Sequence, residues 1–141
     1  MVADGPDCDK GYYCVGGALN RRPSDLATYN GLMCVPGSWC GVGTGASGWT
    51  NCLKGTYSSA NGLTEASECT TCPNGFMCPT DGMTEADFDT ASNQCDQGYY
   101  CGAGIDGVST TKQECDLGRY CPANSMEQLP CDSGYYQDST G

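Results

Sequence analysis

Cys95-Asp96-Gln97-Gly98-Tyr99-Tyr100-Cys101 holds two cysteines six positions apart, a glycine three after the first, and an aromatic ring two after the glycine. The same frame recurs as Cys8-Asp9-Lys10-Gly11-Tyr12-Tyr13-Cys14, Cys34-Val35-Pro36-Gly37-Ser38-Trp39-Cys40 and Cys115-Asp116-Leu117-Gly118-Arg119-Tyr120-Cys121, and, with Met77 in the place of the ring, as Cys72-Pro73-Asn74-Gly75-Phe76-Met77-Cys78. Two further copies, Cys52-Leu53-Lys54-Gly55-Thr56-Tyr57-Ser58 and Cys131-Asp132-Ser133-Gly134-Tyr135-Tyr136-Gln137, lack the closing cysteine. We number the seven copies motifs 1 to 7 in chain order; their starts lie 26, 18, 20, 23, 20 and 16 residues apart. Self-similarity at such a period marks a repeat array in which each unit leans on its neighbours. The glycine permits the positive φ of a sharp turn. The flat side chain two positions later can cover a neighbouring disulfide as a miniature core.

Composition agrees. Leu, Ile, Val and Phe number only 15 of 141 residues, too few for one sizeable apolar core. With a net charge of −11 that composition would usually mean disorder, but 13 cysteines argue otherwise. Each disulfide removes loop entropy from the unfolded chain, typically about 2–4 kcal/mol. The expected fold is a small disulfide-rich, elongated array of short β-ribbon and loop repeats with little regular secondary structure. Its segments are 1–51, with two closed motifs and insert loops; 52–94, with an open and a closed motif; and 95–141, with two closed motifs and the start of an open one. Thr84-Glu85-Ala86-Asp87-Phe88 reads either as one short helix capped by Thr84 or as an irregular acidic loop.

Five closed motifs use ten cysteines. Open motif 3 is followed 17 residues later by Cys69, which neither opens nor closes a motif, so Cys52–Cys69 is the natural pair. Cys131 then awaits a partner beyond the chain end, or stands as a free thiol or an intermolecular bridge. The absence of an export signal after Met1 likewise leads to the expectation of a fragment or mature segment. The closed motifs either bridge internally, as Cys8–Cys14, Cys34–Cys40, Cys72–Cys78, Cys95–Cys101 and Cys115–Cys121, or interlock, as Cys8–Cys34 with Cys14–Cys40 and Cys72–Cys95 with Cys78–Cys101. A central glycine makes the tight internal loop feasible.

The run from Cys52 to Cys78, with Gly55-Thr56-Tyr57-Ser58 and Cys69-Thr70-Thr71-Cys72-Pro73-Asn74-Gly75, resembles the cysteine-rich repeat of ephrin-receptor-like and tumour-necrosis-factor-receptor-like modules. It is similar to the versions in protist surface and filament proteins, where the first bridge spans the open loop. The resemblance implies a fold type; the closed copies depart from the receptor pattern, so receptor ligand binding does not carry over.

No catalytic site is legible. The sequence has no histidine, which removes Ser/His/Asp and Cys/His nucleophiles and leaves only all-thiolate zinc. Cys69-Thr70-Thr71-Cys72 lacks the βαβ setting of a redox motif. No cofactor is expected; Asp4, Asp7 and Asp9, and more weakly Asp87 and Asp89, are calcium candidates, without a complete twelve-residue loop. The acidic balance speaks against nucleic acid, and no apolar run inserts into a membrane. Ser/Thr clusters at Thr56–Ser59, Ser109–Thr111 and Ser139–Thr140 offer acceptors for O-linked sugar. Disulfide density implies an extracellular or cell-surface location. The leading expectation is a structural segment of a secreted filament, surface coat or mastigoneme-like flagellar appendage, whose partners are like subunits or other extracellular proteins. The rivals are a protein-binding ectodomain of a receptor or adhesin and an accessory module of a secreted enzyme.

Overall fold

The computed structural model describes residues 7–16, 19–25, 31–107, 111–136 and 140. All seven glycines of the frame lie among them at positive φ, from 76° at Gly37 to 94° at Gly134. Each is the third residue of a four-residue turn closed by a main-chain hydrogen bond: Ser38 N–H donates to Val35 C=O at 3.2 Å, Thr56 to Leu53 at 3.0 Å, and Tyr99 to Asp96 at 3.1 Å. A positive φ at that place defines a type II turn, which an L side chain resists.

In five of the motifs the turn delivers the chain into a strand of two or three residues, and in motif 4 into an isolated bridge between Phe76 and Gln94. These strands are β1 (Tyr12–Cys14), β3 (Ser38–Trp39), β5 (Thr56–Tyr57), β7 (Tyr99–Tyr100) and β9 (Arg119–Tyr120). Between them run β2 (Gly31–Met33), β4 (Thr50–Asn51), β6 (Thr70–Thr71), β8 (Gln113–Glu114) and β10 (Leu129–Pro130). All sheets among the described residues are two-stranded ribbons. β1 and β2 pair antiparallel with Tyr13 opposite Leu32, β3 and β4 with Trp39 opposite Thr50, β7 and β8 with Tyr100 opposite Gln113, and β9 and β10 with Tyr120 opposite Leu129. Helical structure among the described residues is limited to 3-10 pieces at Ala66–Glu68, Glu85–Asp89 and Ala91–Asn93. The acidic segment after Thr84 is thus a tight 3-10 turn, between the α-helix and the irregular loop that its composition leaves open.

Contacts divide the chain into two units. Unit 1 comprises Met1–Cys52, Ser58–Thr70 and Gly82–Thr84; unit 2 comprises Leu53–Tyr57, Thr71–Asp81 and Glu85–Gly141. Among the described residues, cysteine is the commonest buried side chain of each unit. In unit 1, Tyr13 of motif 1 packs with Cys34 and Cys40 of motif 2, and Leu32, Val35 and Trp49 close around them. The Tyr13 and Trp49 rings meet at 5.1 Å. In unit 2, Met77 of motif 4 packs with Cys95 and Cys101 of motif 5, flanked by Tyr99 and Ile105. The side chain five residues after each opening cysteine here covers the next motif's sulfurs. Tyr120 and Tyr136, at the same place in motifs 6 and 7, are exposed. Unit 2 adds a ring cluster in which Phe88 meets Tyr57 at 4.7 Å and Phe76 at 5.3 Å. The 3-10 piece after Thr84 therefore delivers its one large apolar side chain, Phe88, to that cluster. The fold is a small disulfide-rich array of β-ribbon repeats.

Candidate functional site

The feature repeated most faithfully is the connection between consecutive motifs. From motif 2 to motif 3 it consists of four main-chain hydrogen bonds. Gly37 N–H donates to Ser58 C=O at 2.8 Å, and Cys52 N–H donates to Gly37 C=O at 2.8 Å. Gly62 N–H donates to Cys34 C=O at 2.8 Å, and Cys40 N–H donates to Leu63 C=O at 2.9 Å. In general terms, the turn glycine exchanges two bonds with the closing and opening residues of the following motif. The opening and closing cysteines then bond a second turn, which begins three or four residues after that motif closes.

Every term recurs elsewhere. Motifs 1 and 2 are joined through Gly11 to Cys40, Cys34 to Gly11, Gly43 to Cys8 and Cys14 to Thr44. Motifs 3 and 4 are joined through Gly55 to Cys78, Cys72 to Gly55, Gly82 to Cys52 and Ser58 to Met83. The same four bonds join motifs 4 and 5, through Gly75, Cys95, Gly104 and Cys78 as donors, and motifs 5 and 6, through Gly98, Cys115, Asn124 and Cys101. Motif 7 contributes Cys131 N–H to Gly118 C=O at 3.2 Å.

The second turn is held by Gly43, Gly62, Gly82, Gly104 or Asn124, all at positive φ; Asn124, at 66°, is the only non-glycine residue of that kind among the described residues. Asparagine tolerates this region better than other L residues because its short amide bonds locally. The second turn also reaches a motif two steps back. A Cβ on Gly37 would lie 2.2 Å from Gly82 O, on Gly11 2.5 Å from Gly62 O, on Gly55 2.8 Å from Gly104 O, and on Gly75 2.8 Å from Asn124 O. These four turn glycines are thus required twice, for φ and for space. The second turn went unread in the sequence, although a Gly or Asn three or four residues past each closing position was its signal.

Sulfur fixes each loop. The bridges are Cys8–Cys14, Cys34–Cys40, Cys72–Cys78, Cys95–Cys101 and Cys115–Cys121, with Cα separations of 5.8–6.2 Å, together with Cys52–Cys69 at 5.8 Å. The interlocked pairing does not occur. Cys131 is a half-buried free thiol.

The polar groups of the described residues pair locally. Of the calcium candidates, Asp4 lies outside the described residues, and Asp9 Oδ2 accepts a hydrogen bond from Arg22 Nε at 2.7 Å. That bond and the charge of Asp9 raise the Arg22 pKa above its ordinary value. No group of three or more Cys, Asp or Glu side chains suited to a metal occurs among the described residues. Lys112 Nζ sits 2.6 Å from Asp96 and 4.4 Å above the Tyr99 ring, and Lys54 pairs with Asp106 at 3.7 Å. Glu68 accepts from the Thr64 and Glu65 N–H groups at the head of its 3-10 helix, and the Thr64 bond lowers its pKa below the ordinary carboxylate value. In unit 1 an open hollow of about 330 Å³ is walled by Tyr12, Pro23, Leu32, Met33 and Val35 with Arg22 at its side. It pairs no nucleophile with a base. Ser109 and Ser139 of the proposed sugar clusters lie outside the described residues, whereas Thr56 begins β5.

No helix of the described residues is long and apolar enough to cross a membrane. Six disulfides fit an oxidising environment, where such bonds persist. Six disulfides and short two-stranded ribbons are consistent with a cysteine-rich repeat; neither the family models nor the curated proteins compared with the chain give a match.

Proposed function

We propose that this chain is a structural repeat segment of a secreted extracellular filament, surface coat or flagellar appendage. One observation carries the reading: the same four main-chain hydrogen bonds join motif after motif, whatever the length of the insert between them. A repeat of this kind can be extended copy by copy with little apolar sequence, which suits a protein whose work is mechanical. The Cys52–Cys69 bridge supports kinship with the protist surface and filament branch of the ephrin-receptor-like and tumour-necrosis-factor-receptor-like repeats. In this reading the chain is not an enzyme, and its partners are like subunits or other extracellular proteins. Electron microscopy of the oxidised full-length protein tests it. Ordered filaments or sheets are the expected outcome; dispersed monomers at all concentrations would refute it.

A second reading, a protein-binding ectodomain, is favoured by the unit 1 hollow and the half-exposed Met33 beside it. Affinity capture from the cell surface, lost on Met33→Asp, would establish it in place of the first.

A further inference from the structure

We propose that the inter-motif hydrogen bonds lock two Asn-Gly sequences, Asn61-Gly62 and Asn74-Gly75, against deamidation, so that both become modification sites only when the disulfides are lost. The inference is independent of the filament reading.

Both asparagines are exposed, and each precedes a glycine whose missing Cβ leaves the next nitrogen unhindered. In a free chain such a sequence closes a ring. The glycine nitrogen, losing its proton, attacks Asn Cγ; an N–Cγ bond forms, the Cγ–Nδ2 bond breaks, and the amide leaves as ammonia. Water then opens the cyclic imide at either carbonyl, giving aspartate or isoaspartate. No oxidant or reductant takes part.

The fold withholds the nucleophile. Gly62 N–H donates to Cys34 C=O at 2.8 Å, and Gly75 N–H donates to Cys101 C=O at 2.9 Å. A nitrogen whose proton is committed in this way, its lone pair delocalised in a fixed peptide plane, cannot swing toward its neighbour's side chain. Asn74 and Gly75 are also the central pair of a turn closed from Phe76 N–H to Pro73 C=O at 3.3 Å. The Gly75 Cα faces Asn124, whose carbonyl and amide oxygens both crowd the place where a Cβ would stand. Ring closure therefore requires the step between motifs to open first. The acceptors Cys34 and Cys101 each belong to a bridged loop, so the disulfides keep them in place. An isoaspartate formed after opening lengthens the main chain by one atom, and the same bond cannot re-form in register. The lesion is thus a permanent mark of a chain that has been reduced.

The two sites lie in different units and provide two separate tests. Oxidised protein and reduced, alkylated protein are incubated side by side at mildly alkaline pH, and conversion at each asparagine is followed by peptide mapping with isoaspartate detection. At both sites the reduced chain should convert at least about tenfold faster, the factor set by an opening cost of about 1.4 kcal/mol. Equal rates, or no conversion in the reduced chain, overturn the proposal. Hydrogen exchange in the oxidised protein reads the lock directly: protected Gly62 and Gly75 amides are expected, and exchange at the free-peptide rate is a second way for it to fail.

Discussion

Motifs 2 and 3 are consecutive in the chain and differ at the position that closes the loop. Motif 2 ends in Cys40, bridged to Cys34; motif 3 has Ser58 there, and Cys52 bridges forward to Cys69, after the 3-10 helix Ala66–Glu68. The main chain does not register the change. Ser58 C=O accepts from Gly37 at 2.8 Å as Cys40 C=O accepts from Gly11 at 2.9 Å. Ser58 N–H donates to Met83 at 3.0 Å as Cys40 N–H donates to Leu63 at 2.9 Å. Ser58 is also buried, like the cysteine it replaces. The contrast separates two roles that the closed motifs merge: hydrogen bonds and glycines set the step, and sulfur limits what the unfolded chain can explore.

Four experiments sharpen or break that separation. The largest effect is expected at Gly37, where a methyl group would strike Gly82 O in a conformation that L residues avoid. Gly37→Ala should cost about 4 kcal/mol in denaturant unfolding, overpacking and left-handed strain together. Gly118→Ala, at φ 78° with nothing within 4 Å of the added carbon, should cost only the strain, about 1–2 kcal/mol. Equal losses would show that space around the turn is irrelevant.

Next come the bridges. Loop closure alone gives about 3.2 kcal/mol for the wide Cys52–Cys69 loop and about 2.4 kcal/mol for a closed one. Cys52→Ser with Cys69→Ser should therefore destabilise more than Cys34→Ser with Cys40→Ser when their denaturation midpoints are compared. The reverse order would mean that buried sulfur packing outweighs chain entropy.

Ser58→Ala removes the hydroxyl that accepts from Ala60 N–H at 3.2 Å and should cost about 1 kcal/mol, leaving amide-exchange protection of Gly37 unchanged. Loss of that protection would tie the step to the side chain.

The smallest effect lies at Glu68. Its pKa is lowered in the folded state, so its contribution is present above the unfolded carboxylate pKa and disappears as pH falls through the lower folded value. Glu68→Gln should flatten that part of the acid side of the stability curve and leave the slope at neutral pH unchanged, as thermal melts across pH can check.

The repeat and the ribbons were legible because their signals, Cys-x-x-Gly-x-aromatic and the near absence of aliphatics, are local and recur in register. The internal bridges were legible only as one of two patterns, since cysteine spacing constrains loop size without naming partners. The second turn escaped because its place drifts by one residue: Gly43 follows Cys34 by nine positions and Gly62 follows Cys52 by ten, and at motif 6 the role passes to Asn124. The aromatic's target was half visible. A ring beside a disulfide could be read from Tyr13, but that the sulfurs belong to the next motif depends on the step itself. The segment after Thr84 stayed ambiguous because Phe88, its one strong apolar residue, takes its conformation from Tyr57 and Phe76 far along the chain.

Because the steps joining motifs 1 to 6 use the same peptide groups, whichever side chains pack beside them, those motifs are interchangeable parts at the level of the main chain. A gene that duplicates, deletes or reorders them produces a chain whose joints still fit, and whose loops are left to diversify without renegotiating the frame.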